Sequence, residues 1–362
     1  MDKSYYREKT NTPTTDTGHD RVMLELFRGC IRGCRFCQAG YTYRPVRNRD
    51  PKLLSQYGKA ACEDSGYQEM TLSSLSSTDY PCLLELCDDL LDYCAPRDIG
   101  LSLPSLRADT FSMNLMERLQ RVRKGGLTFA PEAGTQRLRD AINKNLTEED
   151  LLQSVKLYFM LGLPTETDED VLGIADLARK VYFAWKECSP NKARGVRITV
   201  STSWFVPKPH TAFQWEAQIT REEYQRRVDL LRDALKRDKS ITYNWHDPET
   251  SYLEAVFSRG DRRLADVLEY AWLHGAKMDS WSEYFDFQRW MDALKACGVD
   301  GDFYAHRERP RDEVFPWCRI DPMVTPAFLW REREQCYASR TTPDCRTRCS
   351  GCGANRLLKG GV

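Results

Sequence analysis

The chain has 362 residues, enough for two domains or for one large domain with appendages. Hydrophobic residues at 41%, charged residues at 29%, and only 21 Gly and 17 Pro exclude a disordered, collagen-like or low-complexity polymer. Lys plus Arg and Asp plus Glu balance at 53 each, so no global field draws the chain toward nucleic acid or anionic lipid.

The first 20 residues are polar and carry no signal-peptide stretch, and no apolar run approaches the roughly 18 residues of a membrane span. The expectation is a cytoplasmic protein without a membrane partner. In a reducing compartment, 14 cysteines read as metal ligands or buried thiols rather than disulfides.

After an N-terminal segment over 1–21, strands are predicted at 22–27, 69–72, 100–103, 127–130, 155–160 and 197–202. Amphipathic helices separate them, as at 82–93, where Leu83, Leu86, Leu90 and Tyr93 share a face, and at 171–185, where Ile174, Ala178, Val181 and Trp185 do. Six βα units over 22–240 imply an α/β fold, a partial (βα)6 TIM-like barrel. A doubly wound sheet is the alternative, but no G-x-G-x-x-G turn follows the first strand. A helix at 220–236 closes this core. Helices at 261–273 and 281–296 predict a mainly helical C-terminal extension over 241–330, followed by an irregular, Arg-, Pro- and Cys-rich metal-binding tail over 331–362.

One junction does not fit. Thr147-Glu148-Glu149-Asp150 starts a helix by the capping-box pattern, yet only Leu151 to Ser154 precede the fifth strand, too few for a return helix and its connection.

The loop after the first strand carries Cys30, Cys34 and Cys37 as C-x3-C-x2-C. Chance would place that spacing in roughly one chain in fifty of this cysteine content. Three thiolates on a short loop reach one metal centre while leaving a position without a protein ligand, as catalytic metal sites do. A structural zinc completed by a distant residue such as His19 is the alternative.

The segment resembles the radical S-adenosylmethionine (SAM) superfamily, with the aromatic Phe36 just before the last cysteine. The resemblance implies that Cys30, Cys34 and Cys37 hold a [4Fe-4S] cluster and that SAM chelates its fourth iron. Reductive cleavage of SAM would then give a 5′-deoxyadenosyl radical. By the same resemblance, Glu132 in Thr128-Phe129-Ala130-Pro131-Glu132 matches the carboxylate that meets SAM after the fourth strand. Gly162 and Leu163 match the fifth-strand element that packs on adenine. Phe205 and Val206, in Trp204-Phe205-Val206-Pro207-Lys208-Pro209-His210, match the sixth-strand exit of methylthiotransferase-like branches. At the second-strand exit a serine run stands where that family carries a GGE-like motif; Ser73, Ser74 and Ser76 are the candidate acceptors for the SAM ammonium group. His210, between prolines, reads as a loop residue rather than a catalyst, and no catalytic side chain is assigned.

The serine variant, Tyr43-Arg44-Pro45-Val46-Arg47 and Ser258-Arg259-Gly260-Asp261-Arg262-Arg263 resemble an uncharacterised B12-binding-type branch of that superfamily. Only 21 residues precede the first strand and no D-x-H-x-x-G motif occurs, which counts against cobalamin and raises the alternative that the chain is a fragment. The resemblance implies an electron donor such as flavodoxin or ferredoxin. It points to RNA or protein modification of methylthiotransferase-like or methyltransferase-like type, on an unknown substrate.

In the tail, Cys336, Cys345, Cys349 and Cys352 form C-x8-C-x3-C-x2-C, read either as a four-cysteine zinc knuckle or as an auxiliary [4Fe-4S] cluster. The remaining cysteines, Cys62, Cys82, Cys87, Cys94, Cys188, Cys297 and Cys318, read as small buried hydrophobes. The arginines at 259–263 and Arg331, Arg333, Arg340, Arg346 and Arg348 read as solvated faces and local ion pairs, with RNA phosphate as the other reading. A protein of another class, a non-catalytic binding scaffold stabilised by two zinc sites, would share both cysteine groups.

Overall fold

The computed structural model describes residues 9, 11–15, 18, 20–104, 107, 128–151, 156–188 and 195–357. Among them, parallel strands form two sheets. The first is ordered β1 (Val22–Glu25), β2 (Glu69–Ser73), β3 (Gly100–Ser102), with Val22 opposite Met70 and Met70 opposite Leu101. The second is ordered β4 (Thr128–Glu132), β5 (Lys156–Leu161), β6 (Ile198–Trp204), β7 (Ile241–Trp245). Parallel neighbours need crossover connections, and helices supply them. These are α1 (Gln38–Thr42), α2 (Pro51–Ser65), α3 (Leu83–Cys94), α4 (Gln136–Ala141), α5 (Asp168–Cys188) and α6 (Arg221–Leu235). The architecture is the partial α/β barrel the sequence implies, with a helical C-terminal region: α7 (Pro248–Arg259), α8 (Leu264–Leu273), α9 (Phe287–Ala296), α10 (Gly301–Ala305) and α11 (Pro326–Tyr337).

Local chemistry sets the crossovers. In α2, Asp50 accepts from the backbone N–H groups of Lys52 and Leu53, Pro51 fixes the first turn, and Gly66 ends the helix in the left-handed region at φ 72. Its Gly58 lies so close to the sheet that a Cβ would stand 2.8 Å from Leu24 Cδ1. Leu24, Met70, Leu72, Leu86, Leu90 and Cys87 fill the core beneath the first sheet. Phe159, Ile174, Ala178, Val200 and Val228 do so for the second. Cys62, Cys87 and Cys94 are buried as expected, whereas Cys82 and Cys297 are half-buried and Cys188 and Cys318 exposed.

Two elements depart from the sequence reading. A seventh parallel strand, β7, crosses the expected boundary at residue 240, pairing Ile198 with Ile241 through to Thr202 with Trp245. It is an edge strand whose five side chains are all half-buried or exposed, so it lacks the apolar alternation that marks a strand. The tail also contains α11, capped by Thr325 with Pro326 at its start. Its charged face obscured the buried row of Phe328, Leu329, Glu332 and Cys336. At the awkward junction, Glu148–Leu151 forms a single turn with Leu151 fully buried. Residues 152–155, like 127 and His19, lie outside the described residues. No helix among the described residues is long and apolar enough to cross a membrane.

Candidate functional site

The cysteine loop is a bounded excursion. Phe27–Arg28 pairs antiparallel with Arg47–Asn48, closing its base directly after β1. Gly29 sits there at φ 94, where a Cβ would meet the Tyr43 and Pro45 carbonyl oxygens at 2.7 and 2.9 Å, so only glycine allows the turn. Cys30, Cys34 and Cys37 follow, all half-buried. The Arg32 N–H donates to Cys30 Sγ at 3.4 Å, the Gly40 N–H to Cys37 Sγ at 3.3 Å, and Cys37 caps α1. Burial, and then the neighbouring Cys34, pushes the Cys30 thiol up to about 12 and raises Cys37. Such thiols become anions only against a cation, and inward-facing N–H groups suit metal-bound sulfur. The donor set fits a cluster.

The exits of the other strands meet this loop. After β2, Arg32 holds Asp79 at 2.7 Å, and Asp79 accepts from Ser76 Oγ at 2.6 Å. Ser74 Oγ bonds Ser77 Oγ at 3.0 Å, so the serine run is largely satisfied within itself. Ser73 and Ser74 line a cavity of about 710 Å³ that also touches Gly29 and Tyr43. After β4, Glu132 lies at φ 70, a conformation costing a non-glycine residue about 1–2 kcal/mol. Its carboxylate takes the Lys144 ammonium at 3.1 Å. Lys144 Nζ in turn lies 5.9 Å from the Phe36 ring. Burial works against the Lys144 charge, but Glu132 and Cys34 outweigh it and hold the ammonium above its ordinary range.

Phe36, Leu163 and Phe205, expected from three separate motifs, pack in one apolar cluster with Leu138 and Phe213. Gly162 turns at φ 92 and donates its N–H to Glu166 at 2.6 Å. Val206 packs instead in the core of the second sheet. After β6, Pro209 O accepts from Gln38 Nε2 of α1 at 3.1 Å. His210 itself is half-buried, with its N–H on Gln214 Oε1.

A second set of contacts ties the loop to the distant C-terminal part, and the sequence reading did not foresee it. Arg35, wholly buried, pairs with Glu332 of α11 at 3.2 Å and donates to the Ala141 and Arg340 carbonyls at 2.6 and 2.8 Å. Asn143 donates to Gly33 O at 3.0 Å and accepts from Thr342 N at 2.8 Å. The only signal was an arginine inside a cysteine motif, which does not name its partner.

The four tail cysteines are not brought together. Cys345, Cys349 and Cys352 line, with Cys30, Ile31 and Arg44, a cavity of about 210 Å³. Cys336 is fully buried elsewhere, on the apolar face of α11 among Ala133, Leu138 and Phe213. The periodicity of α11 points it into that core, away from the other three. Among the described residues, no three His, Cys, Asp or Glu side chains converge closely enough to hold one metal ion. Each thiolate of a cubane serves a different iron, so cluster ligands stand farther apart than those of a lone zinc.

Residues 24–178 match the sequence profile described as the radical SAM superfamily. The chain carries a radical SAM domain. That domain is the fold of an enzyme superfamily, and its matched span includes the cysteine loop, Glu132 and Leu163. An uncharacterized protein of Methanocaldococcus jannaschii is 32% identical over 272 residues, 72% of this chain and 57% of that protein. The tRNA-2-methylthio-N(6)-dimethylallyladenosine synthase of Pelotomaculum thermopropionicum is 25% identical over 192 residues, 45% of this chain and 40% of the synthase. The enzyme of that name from Geobacillus thermodenitrificans is 23% identical over 195 residues, 48% of this chain and 36% of its own length. The chain thus spans little more than half the length of the first of these relatives, and less of the others.

Proposed function

We propose that the radical SAM domain binds a [4Fe-4S] cluster through Cys30, Cys34 and Cys37 and cleaves SAM reductively to act on an RNA or protein substrate. The observation that carries this reading is the convergence of the second, fourth, fifth and sixth strand exits on one cysteine loop, at the end of the barrel where such folds keep their chemistry. When bound, the cluster supplies the electron that breaks the C5′–S bond of SAM.

The chain's own residues bind, orient and exclude. Glu132, fixed by Lys144 and by its own backbone, is placed to accept a hydrogen bond from SAM. Gly162 and Leu163 offer a close backbone approach and an apolar surface, and Phe36 and Phe205 keep water from that side. Asp79 holds the serine run through Ser76, and the Ser73 hydroxyl is the acceptor offered to the SAM ammonium group. The names of the synthases support methylthio transfer to RNA as the reaction class, with methyl transfer as its neighbour. A flavodoxin or ferredoxin is the electron donor expected in the cytoplasm, and the tail cysteines form a second metal centre.

The test is to purify the full chain without oxygen, reconstitute it with iron and sulfide, reduce it and add SAM. Acid-labile sulfide with iron, and formation of 5′-deoxyadenosine and methionine, are expected. Zinc alone at both cysteine groups, with intact SAM, would establish the binding scaffold instead.

A further inference from the structure

Strand alternation gives the barrel an inner face. In the second sheet Leu157, Phe159, Ile198 and Val200 pack outward, in one core with Ile174 of α5 and Val228 of α6. The residues between them therefore turn inward, and the parallel register sets them in rows: Tyr158 beside Ser201 and Asn244, Met160 beside Ser203. Met160 packs on the same apolar cluster as Phe36, which marks this face as the one beneath the cysteine loop. In the first sheet Leu24 and Met70 pack on Gly58 of α2, so Thr71, level with Ser102, and Ser73 face inward. A closed barrel fills its interior with branched apolar side chains, whereas these rows carry hydroxyls and an amide. Thr71 is 3% exposed, and its buried Oγ1 has no hydrogen-bond partner among the described residues. A buried polar group left unmatched costs about 1–3 kcal/mol, which a ligand that bonded it would recover. Ser201, on the other sheet, is 7% exposed.

Charge is arranged differently at the two ends of this interior. Where the strands begin, Arg21 and Glu69 neutralise each other at 2.9 Å. Where they end, Ser73 opens into the cavity of about 710 Å³, whose wall carries Arg28, Arg44 and Arg47 against Glu25 and Asp321. Arg28 takes both Glu25 oxygens at 2.9 Å, and Asp321 accepts from the Met323 N–H at 2.7 Å. Arg47 keeps a buried Nε with no hydrogen-bond partner among the described residues. The mouth is thus positive and the interior neutral. We propose that the interior is the substrate site and takes one ribonucleotide unit, its neutral nucleoside between the hydroxyl rows and its phosphate at the arginine mouth. Hydroxyls that both donate and accept match the adjacent hydroxyls of a ribose, and the 2′-hydroxyl among these sets RNA apart from DNA. A peptide brings neither that diol nor a phosphate for the mouth. The site deepens the assignment of this domain as an enzyme acting on RNA or protein, and rests on it.

The experiment uses the full chain, reconstituted with iron and sulfide and saturated with SAM, so that the ribose of SAM does not compete for the interior. The probes are a short fluorescein-labelled single-stranded RNA of mixed sequence, the DNA of the same sequence, a labelled uncharged peptide, and an equimolar mixture of the four ribonucleoside 5′-monophosphates as competitor. Fluorescence anisotropy should show the RNA bound about tenfold more tightly than the DNA. Thr71→Val and Ser201→Ala should each weaken RNA binding about five- to tenfold and leave DNA binding unmoved. Thr71→Val should not lower the melting temperature, because the hydroxyl it removes has no partner in the fold; a hydroxyl that served only the fold would lower it. Displacement of the RNA by the monophosphates would identify a free nucleotide as sufficient, and RNA binding that resists them would place the unit within a chain; either result supports the site. Equal binding of RNA and DNA, RNA binding indifferent to both substitutions, or preference for the peptide would overturn it. Formation of 5′-deoxyadenosine by the unaltered chain is read separately. Intact SAM beside a preserved preference for RNA would remove the chemistry and leave the site, while SAM cleavage without that preference would do the reverse.

Discussion

The two cysteine segments share a spacing and differ in everything that holds them. The first hangs from the end of β1, is closed by a two-residue ribbon, and is met by four other strand exits. The second is irregular chain laid across the first, pinned at Ile31 and Asp79. Spacing therefore sets how many thiolates one segment can offer, while the surrounding fold decides what else can reach them. For the first loop the fold supplies a carboxylate and an apolar wall. For the tail it supplies two arginines, while Cys336 lies in a different core.

The largest effect that separates the two segments should come from Cys34→Ala, which removes one of the three proposed cluster ligands. Formation of 5′-deoxyadenosine should fall roughly a thousandfold or more, measured by chromatography after anaerobic reduction. Undiminished product would detach SAM cleavage from that loop.

Next comes the tie between the segments. Arg35→Ala leaves Glu332 buried without its guanidinium and should lower stability by about 3–5 kcal/mol, read from urea unfolding of the metal-free chain. Pairing it with Glu332→Met should recover much of that loss, because no buried charge is then left unpaired. A double variant as unstable as the single would mean that Arg35 acts through its carbonyl contacts instead.

The first loop's wall has a proton-linked component that the tail lacks. Burial, only partly offset by Arg227, lifts the Glu166 carboxyl from 4.5 to about 7. The folded state then holds the proton more tightly than the unfolded state. Stability from this group is complete below about pH 4.5 and is lost as pH rises through about 7, an effect on the order of 2–3 kcal/mol. Glu166→Gln keeps an acceptor for the Gly162 N–H and should flatten that slope in melting curves taken from pH 5 to 8. An unchanged slope would place the titrating group elsewhere.

The smallest effect is expected from Arg346→Ala, an exposed side chain that gives one bond from the tail to the β2 exit. It should cost about 1 kcal/mol or less. A loss as large as that of Arg35→Ala would make the tail, rather than α11, the main brace of the first loop.

What the sequence disclosed is what local order discloses. Cysteines after a strand, Glu132 after another, and Leu163 and Phe205 after two more could each be placed by counting strand exits. Lys144, Asp79 and Glu332 could not, because their partners lie 12, 47 and 297 positions away and an ion pair leaves no periodic trace. Cys336 misled for a related reason. Its spacing suggested a ligand, and the helical period of α11, which the spacing does not report, turns it toward Leu138 and Phe213. β7 was hidden because its edge position removes the apolar rhythm by which strands are recognised.

The wholly buried guanidinium of Arg35 carries a consequence for the order of synthesis. Its last partner, Thr342 Oγ1, lies 307 residues downstream. At roughly 5–20 residues per second, a ribosome needs roughly 15 to 60 s between making the loop and making the residue that completes its brace. During that interval the first three cysteines lack their final support and are open to oxidation or to stray metal. The cluster proposed for the loop gains a finished receptacle only after translation has passed residue 342. Expression conditions that slow translation should therefore lower the iron content of the purified chain more than they lower its yield.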